Sequence, residues 1–169
     1  MAVAKVVTDW DLSVDGVGFL GKAESIQLPE VEEITEEIRG CGKTGPVEVP
    51  MGMKLGDCTI KSLEISPMFY QAFGLAGDAV GLICKALMRA EMGREVPLKA
   101  IIHGRFKKIS TDAFEAGKIP RQEAVLRPVR YSLIIDNQPA LVVDTENDVW
   151  NLSGGNDLTT GIKNLLGIG

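Results

Sequence analysis

Two glycine-containing motifs in this sequence have residue types and spacing that could bind phosphate groups. Residues 16–21 read Gly-Val-Gly-Phe-Leu-Gly, a pattern that binds dinucleotides only where a helix follows directly and its N-terminus holds the pyrophosphate. Here a strand-like segment follows, so the pattern predicts a β-hairpin turn. Residues 42–44 resemble the end of a phosphate-binding loop, but Glu37 stands where that loop needs its first glycine. Neither motif predicts a nucleotide site.

The histidine, the cysteines and the acidic pairs also fail to form a recognisable catalytic or metal-binding pattern. His103 is the only histidine and lies among cations on a predicted strand. Cys41, Cys58 and Cys84 are odd in number and include no C-x-x-C pair. The acidic pairs within residues 32–37 are typical of a solvated face. These residues therefore predict no recognisable catalytic mechanism, and we expect no cofactor and no metal ion.

Composition limits the class of protein. The 169 residues are 45% hydrophobic and 24% charged, with a net charge of −5, which predicts one globular domain spanning 1–169. The longest segment without charge, 65–77, is too short for a membrane-spanning helix. The first ten residues lack a signal-peptide core, so we expect synthesis and assembly in the cytoplasm. The acidic balance argues against a dedicated nucleic-acid binder.

Charge is distributed in blocks along the chain. Residues 1–60 carry a net charge of −6, residues 85–130 carry +6, and residues 131–169 carry −4. Complementary blocks of this kind suit a subunit that docks against copies of itself. The alternative is that they are solvated strand faces without a partner.

Hydrophobic alternation with a period of two predicts a mainly antiparallel β domain. Residues 9–15 alternate acidic or polar with apolar side chains, and Asp15-Gly16 predicts a tight hairpin turn. Further strands are predicted from 19 to 28, 59 to 65, 80 to 90, 96 to 109, 123 to 136 and 140 to 144. Ser66-Pro67 opens a short helix, and residues 156–166 predict a helix at the C-terminus.

Two segments are less regular. Residues 31–38 fit a helical stripe and also favour a strand, so both alternatives stay open. Residues 39–57 are rich in Gly and Pro and contain few large apolar residues. They predict a long exposed loop, and such loops are usually functional or disordered.

The order and spacing of short segments resemble the major tail tube protein family of contractile phage tails and tail-like bacteriocins. The resemblance covers residues 11–169. It rests on segments 14–16, 28–29, 35–37, 39–42, 46–49, 51–53, 73–75, 104–109, 131–136, 155–157 and 164–167, with Asp144 and Asn151 between them. The cysteines depart from the family pattern.

The resemblance implies a structural subunit that forms hexameric rings stacked into a tube inside a contractile sheath. It implies a small β-sandwich or barrel with an outer helix and a C-terminal helix, lending about four strands to a shared inner barrel. About 24 strands tilted by about 40° enclose a backbone diameter of about 48 Å, wide enough for duplex DNA. Expected partners are the sheath, baseplate, tail-terminator and tape measure proteins, and DNA in passage. The alternative function is a secretion-tube-like ring protein that carries effectors.

The resemblance also implies roles for individual residues. The 39–57 segment is similar to the family's inter-ring segment, with axial contacts expected from Arg39, Gly40, Cys41, Gly42, Pro46, Val47, Met51 and Met53. A solvated surface loop is the alternative. Because phosphate repulsion keeps DNA from sticking, acidic residues of the lumen or rim are expected, with Asp9, Asp11, Asp15, Glu33 and Glu37 as candidates. The cysteine hypothesis has a separate basis, which is the odd number of cysteines and the position of Cys41 in this segment. Cys41 is expected to pair with Cys58, or with another cysteine, of a neighbouring subunit after release from the reducing cytoplasm.

Overall fold

The fold is a mainly antiparallel β architecture with one short helix in the described part of the chain. A computed structural model describes residues 5–19, 22–40, 42, 44–74, 79–89 and 93–152. The strands, in chain order from β1 to β11, are Val6–Val14, Val17–Gly18, Ala23–Gln27, Val31–Ile38, Val47–Leu55, Cys58–Ser62, Val80–Arg89, Val96–Thr111, Gln122–Ile135, Gln138–Asp144 and Val149–Leu152, and the helix α1 is Pro67–Gln71. No helix in these ranges is long and apolar enough to cross a membrane.

The main sheet is built around the two longest strands, β8 and β9. Its order is β11-β10-β9-β8-β7-β1-β2, and every neighbouring pair is antiparallel. The other half of β9 pairs with β6, which in turn pairs with β3. Strands β8 and β9 therefore belong to both halves of the sheet, and the core lies between these halves.

The bend in β8 depends on a glycine. The register between β8 and β9 shifts at His103/Gly104 and again at Phe106/Lys108, which marks β-bulges. A side chain on Gly104 would bring its Cβ to 2.8 Å from Pro128 Cα and still closer to the carbonyl oxygen of Arg127. Only glycine permits the two strands to approach so closely at this bend.

The core consists of aromatic and aliphatic side chains from both halves of the sheet. Phe69 of α1 stacks on Phe19 with ring centroids 5.6 Å apart and meets the edge of Phe106 at 5.1 Å. Phe69 and Phe106 are completely buried, as are Ile60 and Leu82. Burying such side chains is the main source of stability in a domain of this kind.

Hydrogen bonds hold the short helix on the sheet. Ser66 caps its first turn by accepting from the Met68 N–H at 3.4 Å, and Pro67 occupies its first position. The buried Gln122 accepts from the Ser66 N–H at 2.9 Å and shares a 3.2 Å hydrogen bond with the Tyr70 hydroxyl. The predicted Ser66-Pro67 helix start is thus confirmed.

The sequence correctly predicted the fold class, most of the strands and both tight turns. Asp15 and Gly16 have φ values of 48° and 82°, and Asp136 and Asn137 have 52° and 60°, as a two-residue hairpin turn requires. The open alternative at residues 31–38 resolves as a strand. The predicted C-terminal helix at 156–166 lies outside the described residues.

The prediction of a loop across residues 39–57 is wrong for its second half. Val47–Leu55 forms β5, which pairs with β4 from Val31↔Leu55 to Ile38↔Val47. Gly and Pro in this strand favoured a loop, but Pro50 lies beside a register shift and Gly52 has a φ of 152°. The β-bulge accommodates Pro50 and Gly52 within the strand, so the Gly and Pro content wrongly predicted a loop here.

Candidate assembly interfaces

At both ends of the main sheet, the described strands leave an edge open. The outer side of β1 is covered by β2 only at Ser13 and Val14, and Val6 and Val7 are exposed. On the opposite edge, β11 pairs with β10 and with no other described strand. Unpaired edges invite another strand to add to the sheet. The Trp10 N–H on the β1 edge is satisfied by Asp9 Oδ1 at 2.9 Å.

The β4–β5 hairpin projects as a two-stranded sheet that no other described strand joins. Only its base packs on the core, through Val31, Met53 and Leu55. Farther out, exposed apolar side chains alternate with acidic ones, and Ile34 and Ile38 are each about half exposed. An isolated two-stranded hairpin is at best marginally stable in water. The outer part of the hairpin therefore leaves apolar surface exposed in the single subunit.

The predicted inter-ring residues are distributed over this hairpin. Arg39, Gly40, Gly42 and Pro46 lie in its turn region, while Val47 and Met51 are exposed on β5. Met53 lies at the base and is half-buried. Cys41 is outside the described residues. Their inter-ring role stays a prediction.

A cleft lies beside the base of the hairpin, outside the bend of β8 and β9. Its volume is about 1150 Å³, and one wall includes Met53 and Leu55. Basic side chains of β8 and β9 form much of the rest: His103, Arg105, Lys107, Arg127 and Arg130. The cleft therefore concentrates part of the positive block that the sequence contains between residues 85 and 130.

Some cations of this cleft have carboxylate partners in the same subunit. Lys107 pairs with Asp57. Arg130 lies 3.0 Å from Asp144 and 3.5 Å from Glu146. The hydrogen bond from the Asn147 side chain, with help from Arg130, lowers the pKa of Asp144. These contacts stabilise the turn between β10 and β11.

The five candidate lumen acids do not form one group. Asp9 and Asp11 lie along β1, and Asp15 lies in the turn that follows it, whereas Glu33 and Glu37 lie on the hairpin. Asp11 is opposite Lys85, which is opposite Lys99, so the solvent face of the main sheet carries both signs of charge. Their role at the lumen or rim stays a prediction.

Two buried polar side-chain atoms on the edge strands have no hydrogen-bond partner among the residues that the structure describes. They are Asp11 Oδ1 on β1 and Asn151 Oδ1 on β11. Buried acceptors usually have a hydrogen-bond partner.

The burial of Cys58 and Cys84 bears on the predicted disulfide. Cys58 is completely buried opposite Leu126, and Cys84 is also buried. Burial, with smaller contributions from Cys84 and Asp57, raises the pKa of the Cys58 thiol to about 12. A thiol in this state is a poor nucleophile for disulfide exchange. An intersubunit bond between Cys41 and Cys58 would require local opening of the sheet, and the pairing stays a prediction.

Sequence reasoning missed β11 and the cleft. The sequence signal for β11 was the short alternation at residues 149–152, which is only four residues long. The cleft had no local signal, because its walls come from β5, β8, β9 and the turn after β10. In the described ranges, no group of His, Cys, Asp and Glu could hold a metal ion.

Comparison with known proteins supplies the family. Residues 4–167 match the family described as phage tail tube protein FII. The chain is 23% identical over 173 residues to the tail tube protein of Escherichia phage P2, covering 98% of this chain and 99% of that protein. It is 25% identical over 172 residues to the major tail tube protein of Serratia phage KSP20, covering 100% and 99%.

A solved structure shares the fold. The match is to a chain of the six-fold symmetrised cryo-EM structure of the anti-feeding prophage baseplate, with a TM-score of 0.58 and 11% identity over 79% of this chain and 97% of that chain. The solved structure supports the fold, and the family match along nearly the whole chain gives the family. The chain belongs to the phage tail tube protein family and is a structural subunit of the tube in a contractile phage tail.

Proposed function

We propose that the subunit closes rings by pairing the β1 edge of one copy with the β11 edge of the next. The observation that supports this most strongly is the pair of open edges at the two ends of one sheet. Strands β1, β7, β8, β9, β10 and β11 alternate in direction, so β1 and β11 run antiparallel. A copy rotated about the ring axis therefore continues the alternation without a break. We call the junction between the two edges the seam.

Six subunits per ring is the proposed number. Head-to-tail contacts of this kind close into a ring when the rotation between neighbours fits a whole number of copies. The solved baseplate chain with this fold belongs to a six-fold symmetrised assembly, which supports six here. Closure removes the open edges that would otherwise promote irregular aggregation.

The rings then stack into a conduit through the β4–β5 hairpin. Its exposure and its lack of further strand partners in the described chain support a role in contact with the next ring. Asp9 and Asp11 lie on β1, which forms one side of the proposed seam, and Asp15 lies in the turn after it. These three acidic residues therefore recur once per subunit around the ring. Acidic groups at such positions would repel DNA phosphates during passage.

The remaining proposal concerns partners and place. Family membership supports a structural role without catalysis, with the sheath outside the tube, the tape measure protein and then DNA inside it, and the baseplate and tail-terminator proteins at its ends. Assembly takes place in the host bacterial cytoplasm before the tail is complete.

Cross-linking combined with electron microscopy tests the seam. Val7→Cys and Leu152→Cys are introduced together into a Cys41→Ser background, where the remaining native thiols, Cys58 and Cys84, are buried. A short bismaleimide should give a ladder of covalent oligomers that ends at the hexamer, and negative-stain images should show tubes. The Val7→Cys single variant should give no ladder.

Two results would overturn the proposal. Tubes that form normally while the double variant cross-links no better than the single one would place the seam elsewhere. A protein that stays monomeric at every concentration, with no rings, would refute assembly through open edges.

A further inference from the structure

The cleft contains two arginines that face each other without a counter-charge. Arg105 on β8 and Arg127 on β9 are directly opposite in the register, and both are exposed. Directly opposed residues of an antiparallel pair point to the same side of the sheet. No carboxylate of the described chain forms an ion pair with either. Like charges in this position destabilise the sheet.

The hairpin contains the opposite arrangement. Glu37 on β4 and Glu48 on β5 are directly opposite each other, and both are exposed. Neither has a cation partner in the described chain, although Glu32 on the same hairpin lies 3.8 Å from Lys54. This second like-charge pair is also unfavourable in an isolated subunit.

The other charged side chains of both surfaces explain why these four residues stand out. In the cleft, Lys107 and Arg130 are neutralised by Asp57, Asp144 and Glu146. Among the arginines and lysines that line the cleft, Arg105 and Arg127 are therefore the two without an ion pair to a described residue, although the carboxylate of Asp148 also lines the cleft. On the hairpin, the acidic pair lies next to the turn, with Glu33 and Glu36 closer to the base.

The two pairs cannot meet within one subunit. Met53 and Leu55 at the base of the hairpin line the cleft of their own subunit. Glu37 lies six residues beyond Val31 along the strand, which places it about 20 Å from the base at about 3.3 Å per residue. No other described strand pairs with the hairpin and only its base packs on the core, so its outer part is available to contact another copy.

We infer that Glu37 and Glu48 of one subunit dock on Arg105 and Arg127 of a subunit in the next ring. The inference rests on the proposed stacking of rings and names the surface that receives the hairpin. Each carboxylate can accept two parallel hydrogen bonds from a guanidinium group. The contact removes two like-charge repulsions at once, which gives the stacked state an advantage that isolated rings lack.

Charge reversal tests this docking. The first variant carries Arg105→Glu and Arg127→Glu, and the second carries Glu37→Arg and Glu48→Arg. When combined with the seam cysteines, each variant should still give the hexamer cross-link. Each should need a roughly ten-fold or higher protein concentration to form tubes, because the free energy lost with an intersubunit charge pair is larger than the difference that a factor of ten in concentration represents. The four-residue variant should form tubes again.

Mixing the two variants gives a second readout. Rings of the second variant have arginines on both surfaces, and rings of the first have glutamates on both. Only alternating stacks pair opposite charges, so the mixture should form tubes where each variant alone does not. The control for the first variant carries Lys108→Glu and Lys118→Glu, which changes the net charge by the same amount at exposed sites outside the cleft, and it should form tubes normally.

The outcomes separate this inference from the proposed function. If wild-type protein forms no rings, the ring proposal fails. If wild-type rings stack and the charge-reversed variants stack equally well at the same salt concentration, the docking inference is wrong, and the proposal of ring closure is unaffected. If neither the four-residue variant nor the mixture recovers tubes, the two pairs are not partners, and the inference is overturned.

Discussion

We call the two halves of the main sheet and the core between them the sandwich. The sandwich and the β4–β5 hairpin are both made of antiparallel strands, but they are stabilised in different ways. In the sandwich, Phe69 and Phe106 are 0% exposed, whereas on the hairpin Ile34 is 47% and Ile38 is 50% exposed. The sandwich buries its apolar face within one subunit. The hairpin leaves part of its apolar surface and the opposed Glu37 and Glu48 side chains exposed in the single subunit.

This contrast predicts that the sandwich determines the stability of the subunit and that the hairpin acts in assembly. Substitutions in the sandwich should change the free energy of unfolding of the monomer, and with it everything that follows. Substitutions toward the hairpin tip should leave the monomer intact and change only stacking. A two-stranded ribbon contributes little stability on its own, so the hairpin can be altered without cost to the fold.

The largest effect is expected at the bend of the sandwich. Gly104→Val should lower the free energy of unfolding by about 4 kcal/mol, at the upper end for single substitutions, because the new Cβ meets the backbone of Arg127 and Pro128. Chemical denaturation of the monomer measures the change. Gly40→Ala is the control, since no atom lies within 4 Å of a Cβ at that position. Equal stability of both variants would contradict the predicted steric clash at residue 104.

An intermediate effect is expected from the buried thiol at high pH. The pKa of Cys58 is raised from 9.0 to about 12, so above about pH 9 the unfolded chain loses this proton while the folded chain keeps it. Stability should therefore be unaffected below that pH and fall by about 1.4 kcal/mol per pH unit above it from this thiol alone. Burial also raises the pKa of Cys84, and that of Tyr131 to about 12, which steepens the fall.

Denaturation of the monomer over a series of alkaline buffers measures this dependence. Cys58→Ala should be less stable at neutral pH because it leaves a cavity, but its stability should fall less steeply with pH. Parallel curves for wild type and variant would contradict the role given to Cys58.

The smallest effect on the subunit is expected at the hairpin. Ile38→Ala should change the free energy of unfolding of the monomer by about 0.5 kcal/mol or less, because the side chain is half exposed. The matched core change, Ile60→Ala, should cost about 2–5 kcal/mol, because Ile60 is completely buried. The comparison is made on monomers by denaturation. A large loss from Ile38→Ala would show that the hairpin supports the fold of the single subunit.

The local features of this fold were predictable from the sequence. Alternating side chains with a period of two predicted β1 and β7 through β10, because a strand with one buried face must alternate. Asp15-Gly16 and Asp136-Asn137 predicted tight turns, because these residues tolerate positive φ. Ser66-Pro67 predicted the helix start. Each of these features depends on neighbours within a few residues.

The tertiary structure alone decided the features that depend on partners distant in the chain. Residues 47–55 form a strand because β4 pairs with them, and a bulge accommodates the glycine and proline that made them look like a loop. Arg105 and Arg127 face each other only because two bulges set the register of β8 and β9. Local periodicity fixes which residues form strands, but register, edges and clefts arise from pairing between distant segments. These nonlocal contacts determine which surfaces one subunit leaves for the next.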